Sequence, residues 1–428
     1  MTGAVPGPGG LPAVTGAVRG DPIGSPTVVT AARDGQQSTV GGRWVSLGNR
    51  WKRPVLIGCA AALVLRVVVE VVALVAVYGV RFPHVVAGDP HVLVTVLAKW
   101  DAGFFVGIAQ HGYPVSHGPA PAVAAFAPLC PAAIGAVHTV TGLGLLLAGQ
   151  VVSWLALAAG LAGLVHLVEL DRDEAHSASA VTLLVAFPTA FFLVVDYADS
   201  LALALVVLAF VAARHQRWAV AGLAASGAFL TKFYLAIVVV GLLVELWTSS
   251  RPAGPAERRV ALRRALLVTV PTVAALVGWM VVNAWRFHDA LAFVHAQSHW
   301  NRHAAFPWTL AWTTAGDLVH LRFLDTSTAS VMELFDALTV VLLVVAAVVA
   351  WRRVRPSYGV LLALAVCLFT FQSVLYSETR EVLALFPFFV VGADVVTGHR
   401  WRERVVLAFV VPIAYFLCTR FVTGSFAG

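Results

Sequence analysis

The residues able to do chemistry in this chain are few and stand apart from one another. KWDAGFFVGIAQHG, residues 99–112, sets Asp101 between Trp100 and a short amphipathic run. A carboxylate there has two readings. It is the N-cap of the helix that follows, or it is held at a membrane surface by the apolar face of Phe104, Phe105 and Ile108, where it can meet a lipid-borne substrate. AFPTAFFLVVDYADSLAL places Asp196, Tyr197, Asp199 and Ser200 in one turn, with Asp199 suited to capping yet more acids than a turn requires. Lys232 is the only lysine inside a hydrophobic run, so it either carries function or snorkels to the surface. HAQSHWNRHAAFPW gathers Trp300 and Arg302 with His295, His299 and His303. YSETREVLALFP adds Glu378, Arg380 and Glu381, where Arg380 suits a neighbouring glutamate or a phosphate. The histidines His84, His91, His111 and His117 lack the i, i+4 spacing of a metal site and read as interface residues.

These residues need membrane helices to position them. Of 428 residues, 59% are hydrophobic and 12% charged, far from the roughly one-quarter charged of ordinary soluble domains. The net charge of +7 sits in short clusters between apolar runs, which marks orientation rather than a nucleic-acid partner. Those clusters are Arg43, Arg50, Lys52 and Arg53; Arg214 and Arg217; Arg251, Arg258, Arg259, Arg263 and Arg264; Arg352, Arg353 and Arg355; and Arg400, Arg402 and Arg404. Cys59, Cys130, Cys367 and Cys418 form no CxxC pair and read as small buried hydrophobes. The Gly/Pro/Ser/Thr-rich residues 1–45 have no helical period and no apolar core of a signal peptide, and are expected to be a disordered cytoplasmic tail.

Apolar segments at 54–80, 146–168, 177–195, 199–213, 218–247, 265–285, 331–350, 357–375, 383–397 and 405–421 are candidate spans. If every basic cluster is cytoplasmic, 218–247 must cross twice, as two short helices meeting near Thr231 and Lys232, and 122–142, broken by Pro128 and Pro131, stays on the outer side. The expectation is an all-α polytopic membrane protein of about eleven transmembrane helices, amino terminus inside, with an amphipathic helix in the first outer loop.

In chain order, KWDAGFFVGIAQHGYP, AFAPLCP, FPTAFFLVVDYADSLAL, FLTK, HAQSHWNRHAAFPW and TREVLALFPFF resemble the motifs of the PIG-V family of mannosyltransferases, within the GT-C class that uses polyprenyl-phosphate sugars. The resemblance covers most of residues 95–390. Ala127 and Cys130 depart from its aromatics, Asp199 stands for Glu, Lys232 for Arg and Glu381 for Tyr. It implies a GT-C-like domain over 46–428, with outer loops at 81–145 and 286–330. It implies Asp101 as the base that deprotonates an acceptor hydroxyl attacking C1 of a mannosyl group, with inversion, and Lys232 and Arg380 stabilising the departing lipid phosphate. Asp199, Asp196 and Tyr197 would orient hydroxyls, and Trp100, Gln297, Trp300 and Arg302 would bind the donor. The implied partners are a polyprenyl-phosphate mannose donor, membrane lipid, and a lipid, glycan or protein acceptor. No cofactor is expected, and divalent-metal dependence stays open. The implied location is a bacterial cell membrane with the active site on the extracytoplasmic face. Two other readings remain: a multi-span transporter or lipid-sugar flippase, which would show paired broken helices in matching halves, and a non-catalytic family member acting as an assembly partner.

Overall fold

The computed structural model describes residues 40–79, 92–249, 254–320, 328–425 and 427. His84, His91 and Arg251 lie outside them, as do residues 1–39 of the expected tail. The chain divides into Met1–Ser46 and Leu47–Gly428, and every candidate site residue belongs to the second unit.

The regular elements among the described residues are all helices, apart from one isolated antiparallel bridge between Ala304 and Gln372. The helices are α1 (Val40–Leu74), α2 (Val92–Val96), α3 (Asp101–His111), α4 (Leu129–Thr141), α5 (Leu145–Glu169), α6 (Glu174–Val185), α7 (Asp199–Arg214), α8 (Trp218–Thr231) and α9 (Ile237–Ser249). They continue with α10 (Pro255–Phe287), α11 (Ala292–His295), α12 (Pro307–Val319), α13 (Thr328–Val349), α14 (Pro356–Thr370), α15 (Glu378–Glu381), α16 (Pro387–Val396) and α17 (Arg400–Val422). A backbone in lipid has no water to bond with, so it must satisfy its N–H and C=O groups internally, and helices do this.

Among the described residues, five helices are long and apolar enough to cross a membrane: Trp51–Tyr78, Leu145–Glu169, Pro255–Phe287, Val331–Val354 and Arg400–Val422. The remaining apolar helices run 10–17 residues, short of the roughly 20 an upright span needs. Trp218–Thr231 with Phe233–Ser249, Pro356–Thr370 and Pro387–Val396 fall on the candidate spans 218–247, 357–375 and 383–397. The chain is an integral membrane protein in which α5 is the central helix. Sixty-one per cent of its apolar window is buried, against 17% for α10 and 22% for α17, whose valines and leucines face outward as a lipid-facing surface requires. Close packing at the centre depends on small residues. At Gly58 of α1 a Cβ would lie 2.6 Å from the Ala158 carbonyl of α5, so a side chain there would push the two helices apart.

The run 218–247 is broken where the two polar residues stand. α8 stops at Thr231, Lys232 is extended at φ −147°, and a short 3-10 turn over Phe233–Ala236 leads into α9. Thr231 donates back to the Gly227 carbonyl at 2.8 Å, a bond that bends helices at their ends. The stretch 122–142 is likewise divided, into a 3-10 turn at Ala122–Ala125 and α4, with Pro128 immediately before the helix.

Candidate active site

Asp101 opens α3, but its side chain makes no capping hydrogen bond. The residue before it is in an unusual conformation, Trp100 at φ +53° and ψ −113°. A non-glycine residue there carries strain on the order of 1–3 kcal/mol, which persists only where neighbours over-determine it. Tyr197 is such a neighbour. Its hydroxyl donates to the Lys99 carbonyl at 3.1 Å and accepts from the Asp101 N–H at 3.2 Å, clamping both sides of Trp100. Tyr197 is buried.

The clamp delivers the Asp101 carboxylate to Arg380, whose Nη1 donates to Oδ2 at 2.9 Å. Among the described residues nothing donates to Oδ1, which leaves one carboxylate oxygen fixed and the other open. Arg380 is itself held from several sides. Its Nη2 lies 3.5 Å from Glu381, and its guanidinium stands over the rings of Phe192 and Tyr197 at 5.3 and 5.4 Å. Lys232 does not snorkel. Its ammonium donates at 2.7 Å to both Asp199 Oδ1 and Glu381 Oε2, with only 11% of the side chain exposed. Asp199, at the first turn of α7, is thereby a partner of Lys232 rather than a cap.

These groups surround a cavity of about 580 Å³. Trp100, Asp101, Tyr197, Lys232, Gln297, Trp300, Arg302 and Arg380 line it. Trp300 meets Phe126 edge-on at 5.8 Å, which fixes its ring at the wall. Arg302 donates to the Tyr376 carbonyl and lies 3.7 Å from Glu378. The two acids expected to orient hydroxyls are not at the wall. Asp199 is sealed behind Lys232, and Asp196 is fully buried on the α5 side of its turn, where a Cβ on Gly149 would come within 2.6 Å of its carboxylate. The histidines disperse: His295 pairs with Asp289, His299 with the Ala120 carbonyl, and His117 stacks on His288. Among the described residues no three His, Cys, Asp or Glu side chains are grouped to hold a metal ion.

Sequence reasoning missed Asp336, which is fully buried in α13 and accepts from the Ser377 N–H at 2.9 Å and from the N–H and hydroxyl of Thr379, both at 2.7 Å. It fixes the turn that carries Arg380 and Glu381. An aspartate inside MELFDALTVVLL was the available signal, since acids in apolar spans are costly and seldom idle.

No family model matches the chain, and no protein of curated function matches it. Solved structures do. ArnT from Cupriavidus metallidurans, bound to undecaprenyl phosphate, is similar at 18% identity and a TM-score of 0.47, over 81% of this chain and 63% of that one. The Archaeoglobus fulgidus oligosaccharyltransferase complexed with zinc and sulfate matches at 12% and 0.45, over 85% and 53%. AglB of the same organism, with an inhibitory peptide and a dolichol-phosphate, matches at 9% and 0.43, over 86% and 56%. The chain therefore spans 53–63% of the length of these structures.

Proposed function

We propose that the chain is an inverting glycosyltransferase that moves a hexosyl group, mannosyl by its motifs, from a polyprenyl phosphate to an acceptor hydroxyl on the extracytoplasmic face of a bacterial membrane. One observation carries this reading: Asp101, with Oδ2 held by Arg380 and no donor on Oδ1 among the described residues, lines a cavity also lined by Arg302 and Arg380. The acceptor hydroxyl attacks C1 from the side opposite the phosphate, its proton passes to Asp101, and the C1–O bond breaks with its electron pair leaving on the lipid phosphate. A phosphate departs without a general acid, so one carboxylate suffices where glycosidases need two. Arg302 and Arg380 meet the charge that grows on the phosphate. Lys232 contributes less directly than its motif implies, because its ammonium donates at 2.7 Å to both Asp199 and Glu381, whereas the Arg380 side chain gives one hydrogen bond among the described residues, to Asp101, and lies 3.5 Å from Glu381.

The test uses membranes from a deletion strain expressing the full chain, supplied with radiolabelled polyprenyl-phosphate mannose and their own acceptors. Asp101→Asn is expected to lower transfer by about 10²-fold or more, in the range general bases contribute. Full transfer by that variant would remove Asp101 as the base, and transfer from a glucosyl but not a mannosyl donor would correct the sugar.

A further inference from the structure

A second cavity, of about 440 Å³, lies away from the first, between the amino-terminal ends of α8 and α10. The two helices touch at Gly222, where a Cβ would overlap the Leu267 carbonyl, and Ser226 donates to the Pro271 carbonyl further along. Towards their amino termini they part, and the gap is lined by Arg217, Arg263 and Arg264 above an apolar wall that includes Val260 and Leu267. Trp218 closes the floor, buried and held by its indole N–H on Gln216.

The groove gathers three arginines with no carboxylate among them, whereas arginines elsewhere in the bundle that sit between helices are paired. Arg53 pairs with Glu169, Arg172 with Asp394, Arg214 with Asp171, and Arg355 with Asp171 and Glu245. No carboxylate lines the groove, and none among the described residues pairs with its three guanidinium groups. Three cations held in one concavity repel one another unless an anion lies between them. The neighbouring surface sets the kind of anion. Val260, Leu267 and Val270 of α10 are exposed at 49%, 36% and 54%, on a helix whose apolar window is the least buried of the five spans. An occupant that satisfies both regions has an anionic head and apolar tails.

We propose that this groove is a binding site for an anionic diacyl phospholipid, its phosphate among Arg217, Arg263 and Arg264 and its acyl chains along the outward face of α10. Guanidinium groups suit phosphate through paired N–H donors, and basic pockets between membrane helices bind anionic head groups. The site is independent of the proposed transfer chemistry.

Native mass spectrometry of the full chain in a neutral detergent, titrated with phosphatidylglycerol, phosphatidylcholine or inorganic phosphate, tests the assignment. The wild type is expected to retain one phosphatidylglycerol at concentrations where phosphatidylcholine and free phosphate leave no adduct, and to lose it as salt rises. Combined Arg217→Gln, Arg263→Gln and Arg264→Gln is expected to weaken retention at least about tenfold, given roughly 1 kcal/mol per basic residue near an anionic lipid. The pair Arg258→Gln and Arg259→Gln, exposed on α10 and outside the groove, should leave it unchanged. Equal retention of both lipids by the wild type, salt-insensitive retention, or equal loss from both variants would overturn the proposal. Free phosphate binding as tightly as the lipid would overturn its lipid part. The salt titration reads the wild type alone, so it decides even if the triple variant folds poorly.

Discussion

Asp101 is held in place by residues far away in the chain, and the consequences show at single side chains. Tyr197 spends its hydroxyl on the backbone of Lys99 and Asp101, so its role is to position the carboxylate rather than to touch substrate. Tyr197→Phe should cost about 1–3 kcal/mol through the lost bonds at a buried site. It should also lower transfer about tenfold or more, because misplacing a reacting group is expensive. Thermal unfolding in detergent and transfer assays on the same preparation check both; a variant that is less stable but fully active would show that Asp101 keeps its place without the clamp. Lys232 gives the opposite pattern. Its removal leaves Asp199 and Glu381 close together without the cation between them, a loss of about 3–5 kcal/mol by analogy with broken buried pairs. Lys232→Met should therefore fail to accumulate as folded protein, and Lys232→Met combined with Glu381→Gln should recover part of the yield on size-exclusion chromatography.

At the scale of elements, the site depends on a turn, α15, that has no helix of useful length to hold it. Asp336 of α13 supplies the anchor, through three bonds to Ser377 and Thr379. Asp336→Leu orphans those donors at about 1–3 kcal/mol each, so the turn should loosen and transfer should fall further than the melting temperature alone explains. Asp336→Asn keeps an acceptor oxygen and should restore part of both. The same elements show what a sequence discloses. The break at Lys232 was legible because basic clusters bound the thirty-residue apolar run on both ends, which requires two crossings, and Thr231 and Lys232 mark its middle. Placing the polar segments on one face grouped Asp101 with Asp199, Lys232, Trp300 and Arg380, and of these five all but Asp199 line one cavity. The separation of Asp196 from Asp199 was not legible: three residues apart at the start of a helix, they are sent in different directions by packing against α5 and by Lys232, and neither partner is local in sequence.

For the whole molecule, the opposite end of the bundle holds a second set of charges that closes the helices on one another. Asp171, in the turn after α5, accepts from Arg214 at the end of α7 at 2.6 and 2.7 Å and from Arg355 before α14 at 2.8 and 2.9 Å. Arg355 also reaches Glu245 of α9 at 2.8 Å, and Glu245 accepts from Ser357 at 2.5 Å. Helices α7, α9 and α14 and the α5–α6 turn are thus tied through one acid–base ring, which the basic clusters of the sequence marked as an orientation signal without revealing its acidic half. Burial pushes the Asp171 carboxyl up, but the guanidinium groups of Arg355 and Arg214 outweigh it and hold the group well below the usual carboxylate range. Linkage sets the sign. A depressed folded value gives stability that is fully present above the unfolded carboxylate pKa of about 4 and is lost as pH falls from there through the folded value. Asp171 should therefore contribute no change between pH 7 and pH 5. Comparing unfolding of the wild type with Asp171→Asn in detergent across this range should give a constant gap in melting temperature above pH 5 that narrows below pH 4. A gap that closes between pH 7 and pH 6 would mean that the Asp171 carboxylate is not what governs this end of the bundle.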